Sequence, residues 1–211
     1  RSPSRGLGDV YKRQDNYRGK INIINSTIFA NTATQSTAKE SAQIFANYPS
    51  GGDAPVINIF NTIVGANNGF AVSWYQWTDA TYDFTINVDN SYIEGGTSSI
   101  DLGSVGTKNY GTTNISSGLY FVDAANGDYS LSSVSTLLGA GASSATVGGI
   151  SITAPTTDLF GNPRPNPSGT NPDIGAIESP ESAPQVGIAA VTTDNGFCQT
   201  TSGAITANLL N

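Results

Sequence analysis

INIINSTIFAN at 21–31, INIFNTIVGAN at 57–67 and INVDNSYIEGG at 86–96 align without a gap. The common pattern is Ile-Asn-(Ile/Val)-x-Asn-(Ser/Thr)-x-(Ile/Val), with Ile21, Ile57 and Ile86 in one column and Ile23, Ile59 and Val88 in the next. Apolar and polar residues alternate, and the apolar ones are β-branched, which predicts strands with one buried face. The repeats start 36 and 29 residues apart, a period that signals stacked units. Shorter strand candidates, AQIFA at 42–46 and FAVSW at 70–74, lie between them among Gly, Asn, Ser and Pro. Several short strands per repeat predict an all-β chain. A right-handed parallel β-helix is the expected form, and a β-sandwich is its main rival.

Stacking explains the composition. Equivalent residues of successive units would lie about 4.8 Å apart. Like charges at that spacing repel by roughly 1 kcal/mol even at the dielectric of water. Uncharged polar side chains avoid this cost, and stacked Asn amides hydrogen-bond to one another. Asn25, Asn61 and Asn90, each just after a strand, are therefore expected to form an Asn ladder at a corner. Ligand or Ca²⁺ coordination is the alternative use of the three, and corner geometry favours the structural one.

Of 211 residues, Asn, Ser and Thr supply 20, 24 and 23, whereas only 12% are charged. Hydrophobic residues make up 37%, enough for a buried core. The chain has no His, so a Ser-His-Asp triad and His-ligated metals are excluded; one Cys excludes an internal disulfide framework. A net charge of −7 argues against nucleic acid as a partner, and no apolar run has the length of a membrane span. Residues 1–14, RSPSRGLGDVYKRQ, hold four of the nine basic groups and lack an apolar h-region, so they are not a secretory signal. They resemble a translated sequencing-adaptor tail of the kind found in metagenomic fragments. A basic arm for a partner is the competing reading. Without this tail, five basic and fifteen acidic residues remain.

The second half adds NSYIEGG at 90–96, LYFVDAANGDYSL at 119–131, STLLGAG at 135–141, DLFGNPR at 158–164 and DIGAIE at 173–178. In this order they resemble the C-terminal end of secreted bacterial parallel β-helix proteins of the choice-of-anchor Q type, related to those with polymorphic outer-membrane protein repeats. The resemblance runs from about Asn22 to Glu178. It implies coils over 15–118, a C-terminal cap over 119–179, and an extracellular or cell-surface location in a larger multidomain chain. Physically, a cap answers the unpaired backbone that the last strand of an open stack exposes. Arg164, the only basic residue after Lys108, is expected to pair with Asp158, Asp173 or Glu178, while Gly161 and Gly175 allow tight turns. Residues 180–185 read as a linker, and 186–211 as the start of a second, β-sandwich-like module. Cys198 there pairs with a cysteine elsewhere or stays a free thiol.

No catalytic or metal-binding set and no cofactor site emerges. Glycoside hydrolysis needs two carboxylates facing one groove, and a lyase needs a base beside an acidic site. Arg18, Lys20, Lys39, Lys108 and Arg164 do not meet that requirement, and Asp79 and Asp83 show no shared groove. Asp123, Asn126 and Asp128 around Gly127 lack the Ca²⁺-loop spacing and read as an Asx-stabilised turn. Trp74, Tyr75, Trp77 and Tyr82 are the candidate glycan contacts, because flat aromatic faces with a polar edge stack on sugar rings; packing of a loop onto the wall is the plainer use. The expected role is a non-catalytic scaffold or adhesin that contacts a polysaccharide or cell-surface glycan. The alternatives are a fragment of a polysaccharide lyase or glycoside hydrolase with its catalytic coils upstream, and a passenger domain exported through its own outer-membrane barrel.

Overall fold

The computed structural model describes residues 19–32, 42–48, 54–66, 70–76, 84–103 and 106–181, with the backbone alone at 45–48 and 74–76. Among them the chain is all-β, and its only helical residues are two short 3-10 turns at Gly96–Ser99 and Ala124–Asn126. The first ten strands are β1 (Lys20–Ile24), β2 (Thr27–Phe29), β3 (Ile44–Tyr48), β4 (Val56–Phe60), β5 (Ile63–Gly65), β6 (Val72–Gln76), β7 (Thr85–Asp89), β8 (Tyr92–Ile93), β9 (Ile100–Asp101) and β10 (Thr107–Tyr110). Two antiparallel hairpins follow, β11 (Phe121–Asp123) with β12 (Asp128–Leu131) and β13 (Ser144–Val147) with β14 (Ile150–Thr153).

Each of the first ten strands pairs with the strand three places along the chain. The first sheet has the order β1-β4-β7-β10, the second β2-β5-β8 and the third β3-β6-β9, all parallel. Ile21 lies beside Ile57 and Ile57 beside Ile86; Ile23, Ile59 and Val88 form the next row. These are the columns of the sequence alignment. Ile57, Ile59, Ile86 and Val88 of the first sheet share one buried cluster with Val64 and Ile93 of the second and Ile44, Val72 and Ile100 of the third. Each such side chain stabilises the fold by roughly 1.5–3 kcal/mol.

The third-sheet strands begin two residues later than their apolar runs suggest. Backbone pairing continues through Asn47↔Tyr75 and Tyr48↔Gln76, beyond the stretches that look buried in sequence. β10 carries no apolar alternation at all: Lys108 stands in the row of Ile57 and Ile86, where the pattern would place an aliphatic residue. Its Nζ donates to Ile100 O at 2.8 Å and to Thr97 O at 3.3 Å. A charged residue at an inward position on an edge strand discourages another strand from adding there.

The segment 119–179 packs against the flank of the first two sheets. Phe121 and Tyr129 of the first hairpin pack edge-on against Phe29 and each other, with ring centres 4.8–5.9 Å apart. Val147 and Ile152 of the second hairpin bury Phe60, with Ile24 and Ile150 packed against the same cluster. Ala176 N donates to Thr27 Oγ1, and Gly175 N to Asn61 O. The apolar residues on the outer side of β1, β2 and β4 draw the segment there; in the row of Ile24 and Phe60, β7 has Asp89 instead.

Candidate functional site

The strand-to-strand corners are built alike in all three repeats. Asn25, Asn61 and Asn90 adopt φ of 42°, 48° and 45°, a left-handed conformation that Asn tolerates better than most residues. The next residue closes each corner: Ser26, Thr62 and Ser91 donate their hydroxyls to the carbonyls of Ile24, Phe60 and Asp89. Two of those hydroxyls also accept from the preceding unit: Ser26 N donates to Thr62 Oγ1 at 3.3 Å, and Thr62 N to Ser91 Oγ at 3.1 Å. This is why Asn-(Ser/Thr) recurs in the sequence.

The amide ladder predicted from Asn25, Asn61 and Asn90 spans only the first two. Asn61 Nδ2 donates to Asn25 Oδ1 at 3.3 Å, and among the described residues no amide bond continues it to Asn90. Residues from the flanking segment occupy the place: Asn61 Nδ2 also donates to Ala142 O at 2.8 Å, and its Oδ1 accepts from Ala142 N at 3.0 Å. The unbroken ladder lies inside the strands. Asn58 Nδ2 donates to Asn22 Oδ1, Asn87 Nδ2 to Asn58 Oδ1 and Asn109 Nδ2 to Asn87 Oδ1, each at 2.8 Å. Its signal in the sequence is the Asn within Ile-Asn-(Ile/Val), repeated as Lys108-Asn109-Tyr110. The alternation rule reads that Asn merely as an outward position.

The outer face of the first sheet therefore has three rows. Ile24 and Phe60 lie under the β13–β14 hairpin. The Asn ladder comes next, and the hairpin turn touches it so closely that a Cβ at Gly148 would meet Asn58 Oδ1 at 2.4 Å and Asn87 Nδ2 at 2.5 Å. Asn58 and Asn87 are 1% and 5% exposed, whereas Asn22 and Asn109 at the ends are exposed. Lys20, Val56 and Thr85 form the third row, left open as one side of a groove of about 440 Å³ that Asn87, Asn109 and the 148–149 turn complete.

Arg164 is buried, and its Nε lies 2.9 Å from Glu178 Oε2. Asp158 and Asp173 act on it electrostatically. Each carboxylate is also held by backbone. Asp158 Oδ1 accepts from Phe160 N and Asn162 N, both at 2.8 Å, and Oδ2 from Glu178 N at 3.1 Å. Asp173 accepts from Gly139 N at 2.7 Å and Ser179 N at 2.8 Å, and Glu178 Oε1 from Asn166 N at 3.1 Å. Burial raises the pKa of Asp158, but the hydrogen bonds from Asn162, Glu178 and Phe160 outweigh it and leave that carboxyl below its ordinary value. Burial pushes Asp173 and Glu178 up despite their donors and Arg164. Burial likewise lowers the Arg164 guanidinium against the pull of the three carboxylates. Gly161 and Gly175 take φ of 86° and 119°. A Cβ at Gly175 would meet Ile63 Cδ1 at 2.8 Å, whereas none lies within 4 Å of one at Gly161.

Asp123 caps the 3-10 turn by accepting from Asn126 N, so the 123–128 stretch forms an Asx turn. Of the aromatic candidates, the Trp74 and Tyr75 backbones lie on β6 beside Ala46 and Asn47, while Trp77 and Tyr82 fall outside the described residues, as do the 186–211 module and Cys198. Among the described residues no three His, Cys, Asp or Glu side chains form a metal-binding group, and no helix is long and apolar enough to cross a membrane. No protein-family model matches the chain, and comparison with curated proteins and with solved structures gave no match.

Proposed function

We propose that the chain is a non-catalytic, extracellular or cell-surface scaffold built on a right-handed parallel β-helix, with 15–118 forming coils and 119–179 a cover on their flank. The observation that carries this reading is the use of polar groups at repeated positions. Asn22, Asn58, Asn87 and Asn109 bond to one another, and the Ser and Thr hydroxyls at the corners close turns. The buried Arg164 is held in an ion pair with Glu178. Three parallel sheets that each take every third strand, and a core cluster fed by all three, support the β-helix part. Resemblance to choice-of-anchor Q proteins supports the surface location, the larger multidomain chain and an adhesin-like glycan contact, in which Trp74, Tyr75, Trp77 and Tyr82 are the aromatic candidates.

The test is incubation of the full chain with uronate and neutral polysaccharides, followed by assay for unsaturated products and new reducing ends. A scaffold yields neither. Turnover of any polymer would overturn the reading in favour of a lyase or hydrolase.

A further inference from the structure

We infer that the open groove on the outer face of the first sheet is a binding site for an extended acidic oligosaccharide. Its position differs from the aromatic stretch on β6, and it deepens the glycan-contacting part of the function proposed above. The floor and one wall come from the row Lys20, Val56 and Thr85; the ladder residues Asn87 and Asn109 and the glycine turn complete it. Among the described residues no carboxylate lines it, in a chain with 16 acidic residues against 9 basic ones. Lys20 is exposed and forms no ion pair among the described residues.

The ladder determines what the groove can recognise. An Asn amide has two N–H donors and two lone pairs on its oxygen. Each ladder bond uses one donor and one lone pair, so each rung retains one of each. Asn109, the last rung among the described residues, has an exposed amide whose oxygen no further described rung engages. Asn58 and Asn87 are buried beneath the hairpin turn, so the donor–acceptor pair the ladder offers to a ligand in the groove is that of Asn109. Sugar hydroxyls both donate and accept, and an extended glycan presents them at regular intervals. The Thr85 hydroxyl adds one more such group, and the glycine turn brings backbone close without a side chain in the way. Lys20 at one end selects an anionic substituent. A peptide of extended form would want apolar pockets for its side chains, and Val56 alone does not make one.

The test is nuclear magnetic resonance titration of the full chain with a galacturonate hexamer and, separately, a neutral cello-oligosaccharide of equal length. The expected result is that the acidic hexamer shifts the amide resonances of Thr85, Asn87, Asn109 and Gly149, and that the neutral one does so more weakly. Lys20→Met reduces affinity for the acidic hexamer by about fivefold, the size of one exposed ion pair, and leaves the neutral one unchanged. Gly149→Asn fills the groove and abolishes both; Asn tolerates the φ of 77° there, and no atom within 4 Å obstructs its Cβ. An unchanged spectrum outside the groove shows that each variant is folded. Absence of shifts at these four residues up to millimolar sugar overturns the groove, as do shifts confined to 72–77. Either of those results leaves the scaffold reading intact, whereas polymer turnover overturns the scaffold and leaves the groove.

Discussion

Asn58 and Asn87 each bond to a neighbour on both sides and are shielded from water by the hairpin turn. Removing either amide leaves two partners short of a bond in a buried place, where each unsatisfied group costs about 1–3 kcal/mol. Asn87→Ala is therefore expected to destabilise the fold by about 2–4 kcal/mol in urea denaturation. Asn109→Ala, at the exposed end with one ladder bond, should cost about 1 kcal/mol or less. Equal losses at the two positions would mean that the ladder does not act as a buried unit. At Arg164 the cost has another origin. The ion pair with Glu178 is buried, so truncating one partner strands charge in a poorly solvated place, at about 3–5 kcal/mol. Arg164→Ala should fall in that range by the same measurement, and a loss under 1 kcal/mol would show that the guanidinium is hydrated rather than paired.

At the scale of elements, the β13–β14 hairpin depends on Phe60, which is fully buried beneath it. Phe60→Ala should cost about 3–5 kcal/mol. It should also speed amide hydrogen exchange over 144–153 more than over β4 itself, because the hairpin loses the largest side chain of the cluster that seats it. Uniform acceleration would place Phe60 in the common core instead. How much of this was legible in sequence differs by element. β1, β4 and β7 and their register follow from β-branched alternation, since shifting a strand by one residue would turn every apolar side chain outward. β10 was not legible, because Lys108 breaks the alternation at an inward position and its backbone pairs nonetheless. The in-strand Asn ladder was hidden for a related reason: alternation assigns a face, and the partner on that face comes from the next unit. The carboxylates around Arg164 could be named because the chain has so few bases, but the backbone donors that hold them depend on crossings far apart in sequence. The route of 119–179 along the flank rests on Phe29, Phe60 and Asn61 facing outward, which only the assembled sheets reveal.

For the whole molecule, acidic charge and the buried cluster act in the same direction on moderate acidification. Asp173 and Glu178 have raised pKa values in the fold, so the native state holds their protons more tightly than the unfolded chain does. Stability then increases as pH falls through the raised values and has been gained in full below the ordinary ones, 3.8 and 4.5. Asp158 acts oppositely: its lowered pKa contributes stability above 3.8 that is lost as pH falls through the folded value. The melting temperature is expected to rise as pH falls toward the ordinary values of Asp173 and Glu178, 3.8 and 4.5, and to fall again once pH drops through the lowered value of Asp158. Glu178→Gln should flatten the rise, and a steady fall from pH 7 downward would contradict the assignment. Lys108 has a consequence at this scale too. With Lys108→Ile the edge strand continues the apolar row of Ile57 and Ile86, and the protein should self-associate in sedimentation velocity where the wild type does not.

One property underlies the whole fold: residues 36 and 29 positions apart lie side by side in parallel strands. Backbone nuclear Overhauser contacts from the strand around Asn58 measure it most directly. The predicted result is contacts from Ile57–Ile59 to Ile21–Ile23 on one side and to Ile86–Val88 on the other, in parallel register. Antiparallel contacts between strands adjacent in sequence, as a β-sandwich would give, would contradict it.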